Sequence, residues 1–430
     1  MLRDQRRRVL LAGAVAAALA LTVALAACGG GGSSATEASS GGSGGGEPSS
    51  SSDVSSTSGG GGQLSGEPIV VMDIATNSTG PITYPEIFET AGAYEEWVNS
   101  HGGIKGRPLK ILTCDDKGDP NESAKCAREA VSDEVVAATG FSFNSERIEP
   151  ILNAAKLPWV PISPASEEEL NAENSFPIQA PMTLLIGLGE KSAESCKSPS
   201  LVTIDVPSAE LSLGLFESGS KAGGGSSAKV VKVPPTAQDY TSQVAQAADG
   251  TDCIVTLLGE ANLFAFLPAL QQGGGTQQIF GLQGNLNAKV AEKFPEATEG
   301  AIIADSWPSL EAPGWSEMRE ALQQSGANSE LEYDSLAGLG TWGDLTYITK
   351  VVETLPEPSA ASFLAAANKI TVDLAPIGPK VVQFAKPFTG VPGFARVTTR
   401  EVAYETIEDG KVKPLTTELE DVTNGWLGKP

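Results

Sequence analysis

The sequence predicts an α/β protein made of two doubly wound lobes. After Glu67, short runs rich in β-branched residues alternate with longer amphipathic stretches. This alternation is typical of βαβ units, in which helices connect parallel strands. The series begins again after a polar stretch near residues 167–175. Because open sheets of this kind bind ligands beyond the carboxyl ends of their strands, we expect a cleft between the lobes.

The first series predicts strands at 68–74, 109–116, 135–140 and 159–163, and helices at 86–100, 122–134 and 145–155. The second series predicts strands at 200–205, 228–234, 253–258, 278–284 and 301–307, with helical segments between them. From about Gly314 to Asn368 the pattern is mostly helical. Residues 396–414 are expected to form a closing hairpin around Asp409 and Gly410, because Asp-Gly favours tight β-turns. We therefore assign 67–175 and part of the C-terminal region to lobe 1, and 176–307 with the C-terminal helices to lobe 2.

The N-terminus carries the features of a secretory signal over residues 1–27. Several arginines precede an uncharged apolar run from Val9 to Ala27. The run closes on Leu25, Ala26, Ala27 and Cys28, followed by glycine, which resembles a bacterial lipobox whose cysteine is lipidated and becomes the mature N-terminus. An uncleaved membrane anchor is the alternative, because the apolar run is nearly long enough to span a bilayer. Either interpretation places the rest of the chain outside the cytoplasmic membrane.

Residues 28–66 consist mainly of glycine and serine, which predicts a flexible tether. If lipid consumes Cys28, four cysteines remain, and an even number can pair completely in an oxidising compartment. Cys114 ends a predicted strand and Cys126 lies in the next helix, so these two are expected to form a disulfide. Cys196 and Cys253 precede or open two predicted strands and pair if those strands start side by side. A buried free thiol at Cys253 is the alternative.

Composition excludes several classes of function. The 53 acidic residues outnumber the 29 basic ones and give a formal charge of −24, which argues against a nucleic-acid partner. A single histidine, His101, makes a histidine-rich metal site impossible. There is no Walker A motif, no dinucleotide-binding glycine fingerprint and no nucleophile elbow. Acidic runs such as Asp115–Asp116 and Glu167–Glu169 are interpreted as solvated surface. We expect no catalytic residues, no cofactor and no metal.

Residues 80–131 resemble the extracytoplasmic solute-binding proteins of ABC importers, above all the subfamily named for leucine, isoleucine and valine. The most specific stretches are GGIKGRPLKILTCDD at 102–116 and DPNESAKCA at 119–127, followed by PISPAS at 161–166. The resemblance implies the type I periplasmic binding fold, with two Rossmann-like lobes joined by a three-crossover hinge. It also implies a monomer, held to the outer face of the cell membrane by its lipid, that closes on an amino-acid-like solute and delivers it to an ABC permease.

The resemblance also implies ligand-binding positions in lobe 1. Asn144 with Ser145, and Ala165 with Ser166, match positions that hold a substrate carboxylate through hydroxyls and backbone N–H groups. Tyr84 matches an aromatic position that covers the ligand, although a surface-loop tyrosine is the alternative.

In lobe 2 the matching positions depart from the amino-acid binders. Ala209 stands where a tyrosine is usual, and Gln283 stands where an acidic residue pairs with the substrate ammonium. Glu260 or Asp305 is a candidate to replace that carboxylate. The expected ligand is therefore an amino acid, a related amide, or a small carboxylate without an ammonium group.

Two other functions remain open from the sequence. A lipoprotein of the same fold can sense a ligand and signal to a membrane receptor, and a secreted enzyme can be built on an α/β scaffold.

Overall fold

A computed structural model of the protein describes residues 64–79, 83–164, 166–206, 209–234, 237 and 239–429. The predicted signal segment, Cys28 and most of the tether lie outside these residues. In the described part of the chain, no helix has both the length and the apolarity that a bilayer crossing requires.

The first lobe contains a four-stranded parallel sheet with the strand order β2-β1-β3-β4. Its elements are β1 (Ile69–Ala75), α1 (Pro85–Ser100), β2 (Leu109–Asp115), α2 (Pro120–Ser132), β3 (Ala137–Phe141), α3 (Ser145–Ala155), β4 (Trp159–Pro161) and the short α4 (Glu167–Asn171). Helices cover both faces: Met72 and Ile74 share a core with residues of α2 and α3, whereas Ile69 and Val71 face the core that contains residues of α1. All four strands and the three longer helices form within a few residues of their predicted bounds.

The second lobe contains the larger sheet. From one edge to the other its strands are β13 (Lys411–Pro414), β12 (Glu401–Glu408), β9 (Ile302–Asp305), β8 (Gln278–Leu282), β7 (Cys253–Leu257), β5 (Pro199–Ile204) and β6 (Lys229–Val233), and β14 (Glu420–Asp421) pairs with β12. Its central elements are α5 (Met182–Ser195), β5 (Pro199–Ile204), α6 (Ala209–Ala222), β6 (Lys229–Val233), α7 (Thr241–Ala248), β7 (Cys253–Leu257), α8 (Glu260–Gln272), β8 (Gln278–Leu282), α9 (Ala288–Lys293), α10 (Pro295–Thr298) and β9 (Ile302–Asp305). Strands β5 to β9 are parallel, as the second series predicts.

The chain then forms α11 (Ser316–Ser325), α12 (Leu336–Glu353), α13 (Ala360–Ala367), β10 (Thr371–Val372), β11 (Val382–Gln383), β12 (Glu401–Glu408), β13 (Lys411–Pro414), β14 (Glu420–Asp421) and α14 (Thr423–Trp426). The β12–β13 hairpin turns at Asp409 and Gly410, both with positive φ, as expected for an Asp-Gly turn.

The helices α11 to α13 differ from the sequence prediction, which placed the C-terminal helices in lobe 2. Their apolar residues, among them Met318, Ile348 and Phe363, belong to the same core as Val71 of the first sheet. An apolar helix face shows that a helix is buried, but its pattern does not specify which sheet it covers. Among the C-terminal helices that the structure describes, only α14 packs with the second lobe, through Trp426.

The polypeptide passes between the two lobes three times. Ile178 lies in the core of lobe 1 and Ala180 in that of lobe 2; the chain returns between Ala304 and Trp307, and crosses again between Phe384 and Phe388. The three-crossover hinge implied by the resemblance is therefore confirmed, and the crossovers define the axis about which a cleft can close.

Both expected disulfides form. Cys114 at the end of β2 is bonded to Cys126 in α2, with a Cα–Cα distance of 5.7 Å, and Cys196 is bonded to Cys253 at the start of β7, with a Cα–Cα distance of 5.8 Å. The second bridge exists because β5 and β7 are neighbours whose first residues, Pro199 and Cys253, are in register. Each bridge fastens a helix or an incoming segment to a strand of its own lobe.

Asp73 on β1 and Asp344 on α12 are among the buried carboxyl groups of lobe 1, and both are at most 1% exposed. The carboxylate of Asp73 has no hydrogen-bond partner among the described residues. Burial raises the pKa of Asp73 to about 7. Burial, reinforced by the negative charge of Asp73, raises the pKa of Asp344 well above its usual value. At pH values between the ordinary carboxyl pKa and these raised values, the folded protein therefore keeps protons that the unfolded chain has released.

We expect the free energy of unfolding to fall as the pH rises from about 4 to about 7, because the folded state binds more protons than the unfolded state over this interval. One such group contributes a slope of up to about 1.4 kcal/mol per pH unit. Urea unfolding between pH 5 and 8 measures this slope, and Asp73→Asn should reduce it. Asp133→Asn, at the exposed C-terminus of α2, is the matched control and should leave the slope unchanged. Equal slopes in the parent and Asp73→Asn would contradict the prediction.

Candidate ligand-binding site

A cavity of about 440 Å³ lies between the lobes, at the carboxyl ends of strands β5, β7 and β8. Ser163 and Pro164, which follow β4, supply the lobe 1 side. The wall is mainly apolar and includes Met182, Leu257 and Leu282. Its polar groups are the hydroxyls of Ser163, Thr203 and Ser212 and the amide of Asn285. None of the described residues that line this cavity is charged, so its chemistry is apolar contact with a few neutral hydrogen bonds.

Three aromatic rings lie at the carboxyl edge of the lobe 1 sheet, the edge that also carries Ser163 and Pro164. Tyr84 lies 5.1 Å from Phe141 and 6.1 Å from Phe143, and the two phenylalanine rings are 5.0 Å apart, all measured between ring centroids. Tyr84 precedes α1, Phe141 is the last residue of β3 and Phe143 lies just beyond it, so the carboxyl edge of the sheet brings the three rings together. Phe143 is 55% exposed, which is unusual for so large an apolar side chain. We call these three residues the aromatic cluster.

A buried carboxylate holds the loops that carry the aromatic cluster. Asp116, which is fully buried, accepts hydrogen bonds from Thr76 Oγ1 at 2.6 Å, from Gly118 N and Ser123 Oγ at 2.9 Å, and from Ser142 Oγ. These donors come from the segments after β1, β2 and β3. Ser142 separates the two phenylalanines, and Thr76 accepts the backbone N–H of Tyr84 at 2.8 Å. Asp116 therefore fixes the aromatic cluster, and its interpretation as solvated surface was wrong.

The hydroxyl groups expected to hold a substrate carboxylate bind a carboxylate of the protein instead. Glu169 is 2% exposed and its Oε2 accepts from Ser145 Oγ at 2.8 Å and from Ser166 N at 3.0 Å. Trp159 Nε1 donates to the other oxygen at 3.0 Å. Ser166 is also the N-cap of α4, where it forms a capping box with Glu169. Glu169, too, was wrongly interpreted as solvated surface.

The two remaining predicted positions of lobe 1 are Asn144 and Ala165. Asn144 is the N-cap of α3, and its backbone N–H donates to Ser142 Oγ at 3.0 Å, which links it to the loop of the aromatic cluster. Ala165 lies outside the described residues, and its role stays a prediction.

Of the positions predicted in lobe 2, Ala209 lines the cavity directly at the first residue of α6. Gln283 instead belongs to the hinge, where its Oε1 accepts from Ser306 N at 3.2 Å. Gln179 of the first crossover donates to Ser306 O at 2.5 Å, so the backbone of Ser306 connects two crossovers. This placement leaves Gln283 a positioning residue of the hinge.

Neither candidate for the ammonium-binding carboxylate lines the cavity. Glu260 at the start of α8 accepts a hydrogen bond from Asn287 Nδ2 at 2.5 Å. Asp305 is fully buried beside Glu405, and burial together with this neighbour raises the pKa of Asp305 well above its usual value.

Burial also raises the pKa of Glu86, near Tyr84, to about 7; Glu332 adds to this shift and Lys289 opposes it.

Phe141, Phe143 and the apolar wall of the cavity were not predicted from the sequence. The alternation in Phe-Ser-Phe directly after a buried strand was the available signal, because it places two aromatic residues on one side of a strand end.

Fold and site together define a two-lobed binding protein with a hinge of three crossovers and a cavity between its lobes. The family model described as periplasmic binding protein matches residues 76–390, so the chain belongs to this family. Its members bind solutes and are not enzymes, as the sequence predicted. No curated protein matches the chain in sequence.

Solved structures support the fold over most of the chain. A solute-binding protein of an ABC transporter from Rhodopseudomonas palustris BisB5, in complex with 3,4-dihydroxybenzoic acid, is 16% identical with a TM-score of 0.65, covering 83% of this chain and 98% of the other. A fatty acid ABC transporter substrate-binding protein from Thermomonospora curvata is 16% identical with a TM-score of 0.66, and the match covers 85% of this chain and 95% of the other. A leucine-binding protein from Thermotoga maritima is 14% identical with a TM-score of 0.61, and the match covers 82% of this chain and 99% of the other.

We expect Asp116→Ala to destabilise the protein by about 3–5 kcal/mol, because three buried hydroxyls and the backbone N–H of Gly118 lose their common acceptor. Chemical denaturation measures the loss. Asp133→Ala, at an exposed position of the same lobe, should change the stability by less than about 0.5 kcal/mol. If Asp116→Ala is as stable as the parent, Asp116 does not hold the loops of the cleft.

Proposed function

We propose that this chain captures a small solute for an ABC importer, and that the solute has an apolar or aromatic body. The observation that carries the proposal is the aromatic cluster at the carboxyl edge of the lobe 1 sheet, the edge whose Ser163 and Pro164 line the uncharged, mainly apolar interlobe cavity. Closure about the three crossovers brings these two surfaces towards each other. A ligand between them removes the apolar surface of both lobes from water, which favours the closed state.

Phe143 supports this substrate class most directly. A phenyl ring that remains 55% exposed forgoes most of the free energy that its burial would provide. Its ring is held edge-on against Phe141, and Asp116 holds the loop, so the site is arranged before ligand arrives. A preorganised aromatic surface costs little conformational entropy on binding.

The polar groups argue against a zwitterionic amino acid. An ammonium group buried in the cavity would meet no carboxylate among the described residues that line it, and an unpaired buried charge is costly. Glu169 already uses the hydroxyls of Ser145 and Ser166. Ser163, Thr203, Ser212 and Asn285 are suited to one or two hydrogen bonds with a hydroxyl, carbonyl or carboxylate of the ligand.

The comparisons are consistent with this ligand class. Among proteins of the same fold, one is in complex with 3,4-dihydroxybenzoic acid and another is named for fatty acids. Both kinds of molecule join an apolar body to a few oxygen atoms. Their presence supports the ability of this fold to enclose such ligands.

A panel of solutes tests the substrate class by isothermal titration. We expect hydroxybenzoates or medium-chain fatty acids to bind, and leucine, isoleucine and valine to bind at least tenfold more weakly. Phe143→Ala should weaken binding of the best ligand by about tenfold or more, because it removes one face of the aromatic wall.

Leu415→Ala is the control for Phe143→Ala, since it shortens another exposed apolar side chain, outside the residues lining the cavity. Preferential binding of branched-chain amino acids, with Phe143→Ala binding as the parent does, would contradict the proposed substrate class.

The anchor completes the proposal: we infer that lipid on Cys28 and the tether 28–66 hold a monomer at the outer face of the membrane, near its permease. Cys28→Ser should move the protein from the membrane fraction to the soluble or unprocessed fraction and abolish incorporation of labelled fatty acid. Incorporation of label at an unchanged level in Cys28→Ser would contradict lipidation at this residue.

A further inference from the structure

A second cavity, of about 720 Å³, lies on lobe 1 beside the third crossover. It is a groove bounded by α13, by the residue that ends α3, and by the segment from Phe384 to Arg396. The residues that line it differ from those of the interlobe cavity, so the two are separate places on the molecule. We call this cavity the lateral groove.

Arg396 is the central residue of the lateral groove. Its guanidinium stacks between the rings of Phe176 and Phe384, at 4.8 and 4.7 Å from their centroids. Nε donates to Ser175 O at 2.6 Å and Nη1 to Asn368 Oδ1 at 2.9 Å. Nη2 has no partner among the described residues, although the side chain is only 6% exposed. Both bonded acceptors are neutral, so the guanidinium lacks a bonded counter-charge.

The charges around the lateral groove favour an anion. Lys156 and Lys369 are exposed at its rim, and with Arg396 they give three positive charges against one negative charge, Glu173. This local excess is unusual on a chain whose formal charge is −24. Burial lowers the pKa of Arg396 to about 10, and Tyr347 and Glu173 oppose that shift. A bound anion would offset the cost of keeping this cation away from water.

The floor of the lateral groove is apolar. Leu364, Phe384 and Pro387 line it together with several alanines. An inorganic anion alone would leave this surface exposed to water, whereas an acyl chain or an aromatic ring covers it. We propose that the lateral groove binds a free anionic amphiphile, a molecule whose carboxylate or phosphate meets the Arg396–Lys156–Lys369 side and whose apolar part lies on the floor.

The experiment titrates the purified protein with octanoate by calorimetry. To isolate the lateral groove, Ala209→Trp fills the interlobe cavity, and this variant should retain one octanoate site. Adding Lys156→Glu and Lys369→Glu to it should weaken that site by about tenfold or more, because both lysines are exposed and their reversal repels the anion without disturbing the core. Lys221→Glu with Lys293→Glu is the matched control pair at exposed positions outside the groove and should leave the affinity unchanged.

Two further probes test the two halves of the assignment. Acetate lacks the apolar chain and 1-octanol lacks the charge, so each should bind at least tenfold more weakly than octanoate. Equal binding of either, an unchanged affinity after reversal of Lys156 and Lys369, or loss of all octanoate binding in Ala209→Trp would overturn the proposal. Cosedimentation with phosphatidylglycerol vesicles that requires Lys156 and Lys369 would assign the groove to a membrane lipid and overturn its assignment to a free solute.

Discussion

The hydrogen bonds accepted by the carboxylate of Asp116 are the interaction on which the carboxyl edge of the lobe 1 sheet depends. Parallel strands deliver their loops to one edge of a sheet, but they do not fix the loops relative to one another. Here one buried anion accepts hydrogen bonds from segments that follow three of the strands. Such an anion is stable in the interior only while its donors stay in place, so the loops and the carboxylate hold each other. The aromatic cluster owes its arrangement to this mutual constraint.

The second lobe supplies the complementary part of the site. Its sheet is wider and its carboxyl edge is apolar, and the polar groups there are neutral. Gln179 and Gln283 both bond to the backbone of Ser306, where the chain returns to lobe 1. These bonds fasten two of the three crossovers to the backbone of one residue. In the proposed site, the ligand contacts come instead from surfaces that meet on closure.

The fold was largely predictable from the sequence because its signals are periodic and local. Runs such as those at Val71 and Val255 are buried on both faces and identify parallel strands, and Asp409–Gly410 identifies the hairpin. The side of α11 to α13 was not predictable, because that depends on long-range packing. Nor was the burial of Asp116 and Glu169, since an acidic pair in a sequence looks the same on a surface as at the centre of a hydrogen-bond network. Ala209, matched by motif, lines the cavity, whereas Gln283, also matched by motif, accepts a hydrogen bond from the backbone of Ser306 at the second crossover.

A crystal structure of the protein purified with the solute it retains from the cell tests the central claim most directly. We predict an apolar or aromatic body enclosed between the aromatic cluster and Leu257 and Leu282, with Glu169 still bonded to Ser145 and Ser166. A zwitterionic ligand whose carboxylate replaces Glu169 on Ser145 and Ser166, with its ammonium paired to an acidic side chain, would contradict it.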